Sequence, residues 1–84
     1  MNNRPNSTER RHLARIKEMN CGVCNAEGPS EAHHVRQHYQ YLCIPLCINC
    51  HKGPRNGWHG ERYIWHAKKL DELDVLNETL RAIL

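Results

Sequence analysis

At 84 residues, with no phenylalanine and 39% apolar side chains, the chain makes one small domain with a thin core. Such a core needs help from a metal, disulfides or a partner. The net charge is +3, with the positive excess in residues 1–20 and a slight negative balance in residues 61–84. No stretch approaches the roughly 20 apolar residues of a membrane span, and the polar first residues carry no visible secretory signal, so a cytoplasmic setting is expected. Five cysteines, an odd number, then favour metal binding over disulfides.

In chain order, Asn6 or Ser7 can cap a first helix with a narrow apolar stripe of Leu13, Ile16 and Met19. The rest of this arm, residues 1–18, is basic. Arg10, Arg11 and Arg15 suit a phosphate backbone; the plainer alternative is a solvated helix face. Residues 19–84 form the domain proper. Cys21-Gly22-Val23-Cys24 is a metal knuckle, and residues 25–30 are a turn-rich link. Glu31 to Val35 reads as a strand, residues 36–40 as a polar loop, and Tyr41 to Leu46 as a second strand. Pro45 confines that strand to an edge or to its own end. Cys47-Ile48-Asn49-Cys50-His51 begins a helical turn, which Gly53-Pro54 stops. Residues 53–60 are too rich in Gly and Pro for regular structure. A helix from about Glu61 to Lys69 is expected to turn Tyr63 and Ile64 inward. Asp71 or Asp74 starts a last helix with Leu73, Leu76, Leu80, Ile83 and Leu84 as its apolar face.

The chemistry lies in the cysteines and histidines. Cys21, Cys24, Cys47 and Cys50 come as two C-x2-C pairs, a spacing that lets two sulfurs face one ion. The expectation is a closed structural zinc site joining the ends of a hairpin; the alternatives are a redox pair or inert thiols. Cys43 is spare and reads as a small core residue. A four-cysteine site needs no histidine, yet His33, His34, His51 and His59 lie beside the knuckles and the glycine loop. Neutral imidazoles can ligate a divalent ion, and one can take a proton from water. A second metal site with its own base is one reading; surface histidines on a zinc ribbon is the other. His12 and His66 carry no signal. His38 also reads as bland, with contact to a phosphate from its loop near the doublet as the lesser alternative. Trp58 and Trp65 read as core or loop anchors, and Arg36, Lys52 and Arg55 flank the histidines.

The order Cys-x2-Cys, Glu-Ala-His33-His34-Val, Ile-Pro-Leu-Cys47-x2-Cys50-His51 resembles the HNH endonucleases of the ββα-metal fold. With Gly-Trp-His59-Gly and the Leu73 to Leu84 segment, it is most similar to the phage Ref-type recombination-associated nucleases. The resemblance covers about residues 19–84. It implies a small α+β, zinc-tied ββα-metal domain with flanking helices. The implied activity is metal-dependent hydrolysis of DNA phosphodiester bonds in a bacterial or phage-infected cell, with a RecA-type recombinase filament as a further partner. By position it makes His34 the general base, and His33 and His51 ligands of a catalytic Mg²⁺, Mn²⁺ or Zn²⁺. His59 becomes a further ligand or a contact to the scissile phosphate. With DNA as the implied substrate, Arg36, Lys52 and Arg55 beside the site become expected DNA contacts, and the charge of the arm, which the resemblance does not cover, adds Arg10, Arg11 and Arg15.

Three departures accompany the likeness. Where the family carries its middle Asn, this chain reads Gln40-Tyr41-Leu42. His59 follows His51 by eight positions, across a glycine loop. Adjacent strand residues point to opposite faces, so His33 and His34 share a site only at a strand end or a bulge. The alternative function is a non-catalytic zinc module that binds DNA or a recombination protein.

Overall fold

The structure, a computed structural model, describes residues 4–84. Its elements are α1 (Ser7–Lys17), β1 (Glu31–His34), β2 (Cys43–Leu46), α2 (Ile48–Lys52), α3 (Tyr63–Ala67) and α4 (Glu72–Ile83). This is an α+β arrangement: a two-stranded sheet with helices packed against it.

Asn6, not Ser7, caps α1. Its side chain accepts from the Glu9 N–H while the Glu9 carboxylate accepts from the Asn6 N–H, both at 2.8 Å. This reciprocal box satisfies two donors that the first turn otherwise leaves unpaired. Ile16 is fully buried and anchors the helix on both strands, while Leu13 and Met19 are only half-buried. The basic side chains of α1 are left facing solvent.

β1 and β2 pair antiparallel, with His33 opposite Ile44 and His34 opposite Cys43. Pro45 sits opposite Ala32; in a two-stranded sheet each strand is an edge, where a missing N–H is tolerated. β2 is shorter than its apolar run. Tyr41 and Leu42 belong to the preceding turn, where Leu42 N–H donates to the Tyr39 carbonyl at 3.0 Å.

The core gathers Ile44, Leu46, Cys50, Trp65, Val75 and Leu76. Two sequence expectations change here. Tyr63 is 54% exposed, and Trp65 is the buried residue of α3. The reason is that α3 has five residues, entered from Arg62 at φ 59°, and a single turn presents one side chain squarely to the core, where the Trp65 indole N–H reaches the Cys50 carbonyl. On α4 the inward face is Val75, Leu76 and Thr79, with Leu80 and Ile83 half-buried. Leu73 and Leu84 are exposed, since the 3.6-residue period carries them off that face. Among the described residues, no helix is long and apolar enough to cross a membrane.

Candidate metal centres and the histidine cavity

The first centre lies where the chain turns sharply twice. Asn25, at φ 61°, is a residue type that tolerates the left-handed region, and its N–H donates to the Cys21 carbonyl at 3.0 Å. That closes the first knuckle. Gly22 N–H then donates to the Pro45 carbonyl at 2.8 Å, docking the knuckle on the end of β2. A Cβ at Gly22 would lie 2.6 Å from Val75 Cγ1, so the approach requires glycine. The second knuckle forms as Cys47 caps α2, its sulfur accepting from the Cys50 N–H at 3.4 Å.

The ligand atoms of Cys21, Cys24, Cys47 and Cys50 consequently lie within 4.8 Å of one another, with Cys24 Sγ and Cys47 Sγ 3.6 Å apart. Two sulfurs ~2.3 Å from a tetrahedral zinc stand roughly 3.8 Å apart, so the spacing fits that ion. Burial raises the Cys24 and Cys50 thiols, and a charge on Cys21 raises Cys50 further. Burial also acts upward on Cys21, but bonds from the backbone of Cys24, Cys47 and Val23 bring it down to about 7. Four thiols this close can all ionise only around a cation. The group is a candidate zinc site. Cys43 is fully buried on β2, outside it, with its thiol raised to about 11 by burial.

The second centre begins one residue after Cys50. His33 on β1, His51 on α2 and His59 in the loop bring one ring nitrogen each to within 4.8 Å, with centroids 4.9 to 5.1 Å apart. The eight-position step from His51 to His59 is closed by the glycine loop itself. His59 N–H donates to the His51 carbonyl at 3.1 Å, and Gly57 N–H to the Gly53 carbonyl at 2.8 Å. A Cβ on Gly57 would lie 2.5 Å from that same carbonyl oxygen. The loop is compact because it is glycine-rich.

His33 Nδ1 and His51 Nε2 face each other at 3.1 Å. Two nitrogens ~2.0–2.1 Å from a tetrahedral ion lie roughly 3.3 Å apart, so this pair also suits a metal. The outward nitrogens are held by carboxylates. His33 Nε2 bonds the Glu72 carboxylate at the start of α4, and His51 Nδ1 bonds Glu31 Oε1 at 2.7 Å. Burial lowers the His33 pKa, against the opposing bond and charge of Glu72. The hydrogen bond from His51, with help from Lys52, holds Glu31 below the usual carboxylate range.

His34 is the last residue of β1, and there both members of the doublet reach one space. A cavity of about 390 Å³ is lined by His33, His34, His38, His51 and His59 together with Ala32, Gln37 and Gln40. His34 Nε2 lies 2.8 Å from Gln40 Oε1. His38 joins the wall from the connecting loop, at φ 72°.

The basic residues are distributed differently. Lys52 Nζ lies 3.7 Å from Glu31, next to the histidines. Arg36 lies over the Tyr39 ring and Arg55 over Tyr63. Arg10, Arg11 and Arg15 are exposed on α1 and do not line the cavity. Glu31 and Glu72 are the residues that sequence reasoning missed. Glu31 sits two positions before His33, the same-face spacing of a strand, which is a usable signal. Glu72 lies 39 residues from its partner, and no local pattern announces it.

Compared with family models, with curated proteins and with solved structures, the chain matches none.

Proposed function

We propose that the protein is a metal-dependent endonuclease of the HNH, ββα-metal type that hydrolyses DNA phosphodiester bonds. The observation that carries this reading is His34. Gln40 Oε1 can only accept, so the facing Nε2 of His34 bears the proton and Nδ1 keeps its lone pair. A neutral imidazole with a fixed tautomer on the rim of a cavity is equipped to take a proton from water near neutral pH. Gln40 thus stands in for the Asn of the HNH pattern as the group that orients the base.

His33, His51 and His59 are the residues that would hold the catalytic ion. Such an ion, when bound, supplies positive charge for the phosphorane-like transition state and the departing 3′ oxygen. His34 draws the proton from the attacking water on its side of the cavity. Lys52, with Arg36 and Arg55 on neighbouring loops, offers cations to the strand on either side of the scissile bond. The arginines of α1 extend that contact without taking part in the chemistry. The likeness to Ref-type nucleases adds a RecA-type filament as a further partner in this proposal.

The test is His34→Ala, assayed with Mg²⁺, Mn²⁺ and Zn²⁺, with and without a recombinase filament on the DNA. Cleavage should fall by about 10²–10⁴-fold, the usual worth of general base catalysis, while zinc content, fold and DNA affinity stay at wild-type values. Binding without cleavage by either protein under every condition would instead make the chain a non-catalytic zinc module.

A further inference from the structure

We propose that Glu31 and Glu72 are positioning residues of the three-histidine centre. Each accepts the outer ring N–H of one imidazole, so that His33 Nδ1 and His51 Nε2 are presented as lone pairs to a divalent transition-metal ion. This role rests on reading the three histidines as metal ligands, and is independent of whether the protein cleaves DNA.

A carboxylate can only accept, so the ring nitrogen it faces carries the hydrogen. Glu72 faces Nε2 of His33, and Glu31 faces Nδ1 of His51. In neutral rings the hydrogens are then committed to the outside, and the two inner nitrogens, 3.1 Å apart, present lone pairs to each other. That juxtaposition is unfavourable alone and favourable around a cation. The carboxylates come from separate elements, one from β1 beside the ligands and one from the first turn of α4. Each rings a different histidine, which is how outer partners of metal-bound imidazoles are arranged.

The pair also sets the class of ion. Three neutral imidazoles contribute no charge, so a dication bound there keeps its full +2 against a half-buried wall. Glu31 and Glu72 balance it from the second layer without replacing nitrogen donors by oxygen. A nitrogen-only inner set favours ions such as Zn²⁺, Co²⁺ or Ni²⁺ over Mg²⁺.

The experiment uses the full chain with its cysteine site loaded with zinc, and titrates Co²⁺ by calorimetry and visible absorption. Absence of thiolate charge-transfer bands shows that cobalt has not displaced zinc. Wild type should bind one further equivalent, and excess Mg²⁺ should not displace it. Glu72→Ala and Glu31→Ala should each weaken Co²⁺ binding by about 10–100-fold, and Glu72→Gln, which keeps an acceptor oxygen, should recover part of the loss. Long-range ¹H–¹⁵N spectra of the cobalt-free protein should show His33 as the Nε2–H tautomer and His51 as the Nδ1–H tautomer. Wild type that takes up no second ion overturns the metal-centre reading itself. Wild type that binds cobalt while both Ala variants bind it equally well, or while His33 carries its proton on Nδ1, overturns the positioning role alone. Should an Ala variant fail to fold, the Gln variant and the wild-type tautomers still decide.

Discussion

Trp65 belongs to neither candidate ligand group, yet replacing it should weaken zinc binding by orders of magnitude. Its side chain is fully buried, its ring lies 4.8 Å from that of Trp58, and its indole N–H donates to the Cys50 carbonyl at 3.0 Å. Truncating a buried Trp to Ala costs about 3–5 kcal/mol. The lost hydrogen bond adds little to that, because the Cys50 carbonyl keeps the Trp58 N–H at 2.9 Å. An 84-residue domain has roughly 4–13 kcal/mol to lose. If folding and zinc binding are one event, as in small metal-tied domains, the penalty is read directly in the zinc constant. At about 1.36 kcal/mol per decade, Trp65→Ala should bind zinc about 10²–10⁴-fold more weakly. Trp65→Phe, which keeps most of the ring, should lose about tenfold. The assay is competition against a chromophoric chelator, with circular dichroism recorded at each step. Wild-type zinc affinity in a Trp65→Ala protein whose fold is visibly lost would refute the coupling. An unaltered fold together with unaltered affinity would refute the place of Trp65 in the core.

Further outcomes are expected. Cys47→Ala should unfold the domain, since Cys47 is both a sulfur of the cluster and the cap of α2; metal analysis of wild type should give one tightly held zinc per chain, and a cooperative fold that survives strong chelation would count against the site. Replacing Arg10, Arg11 and Arg15 together by Ala should make the slope of log DNA affinity against log salt shallower by up to about three phosphate contacts' worth. An unchanged slope would leave these side chains as a solvated face of α1.

Much of the site was legible because it is written in local spacing. The two cysteine pairs sit close together, as C-x2-C spacing anticipates. The histidine doublet lies at a strand end, where the alternation rule had left room for it, and Gln40 meets His34 from only six residues away. Contacts set by tertiary packing were harder to read. Tyr63 and Leu73 are apolar residues at helical positions, and periodicity alone could not say which arc of a one-turn or three-turn helix meets the core. Glu72 reads as an ordinary acidic first-turn residue, well suited to the helix dipole. Only the packing of α4 on β2 brings its carboxylate to His33.

That late partner has a consequence for the timing of synthesis. The ribosome delivers His33, His51 and His59 well before Glu72, and it delivers Val75 and Leu76, which α4 sets into the core, later still. A nascent chain that has received only the first five elements holds three imidazoles without the carboxylate that fixes one of them, and lacks the packing of α4 on β2. The centre therefore gains its last outer partner only after α4 has left the ribosome and docked. Until then His33 lacks the acceptor for its outer nitrogen, and an ion at the three imidazoles would be held more weakly than in the finished domain.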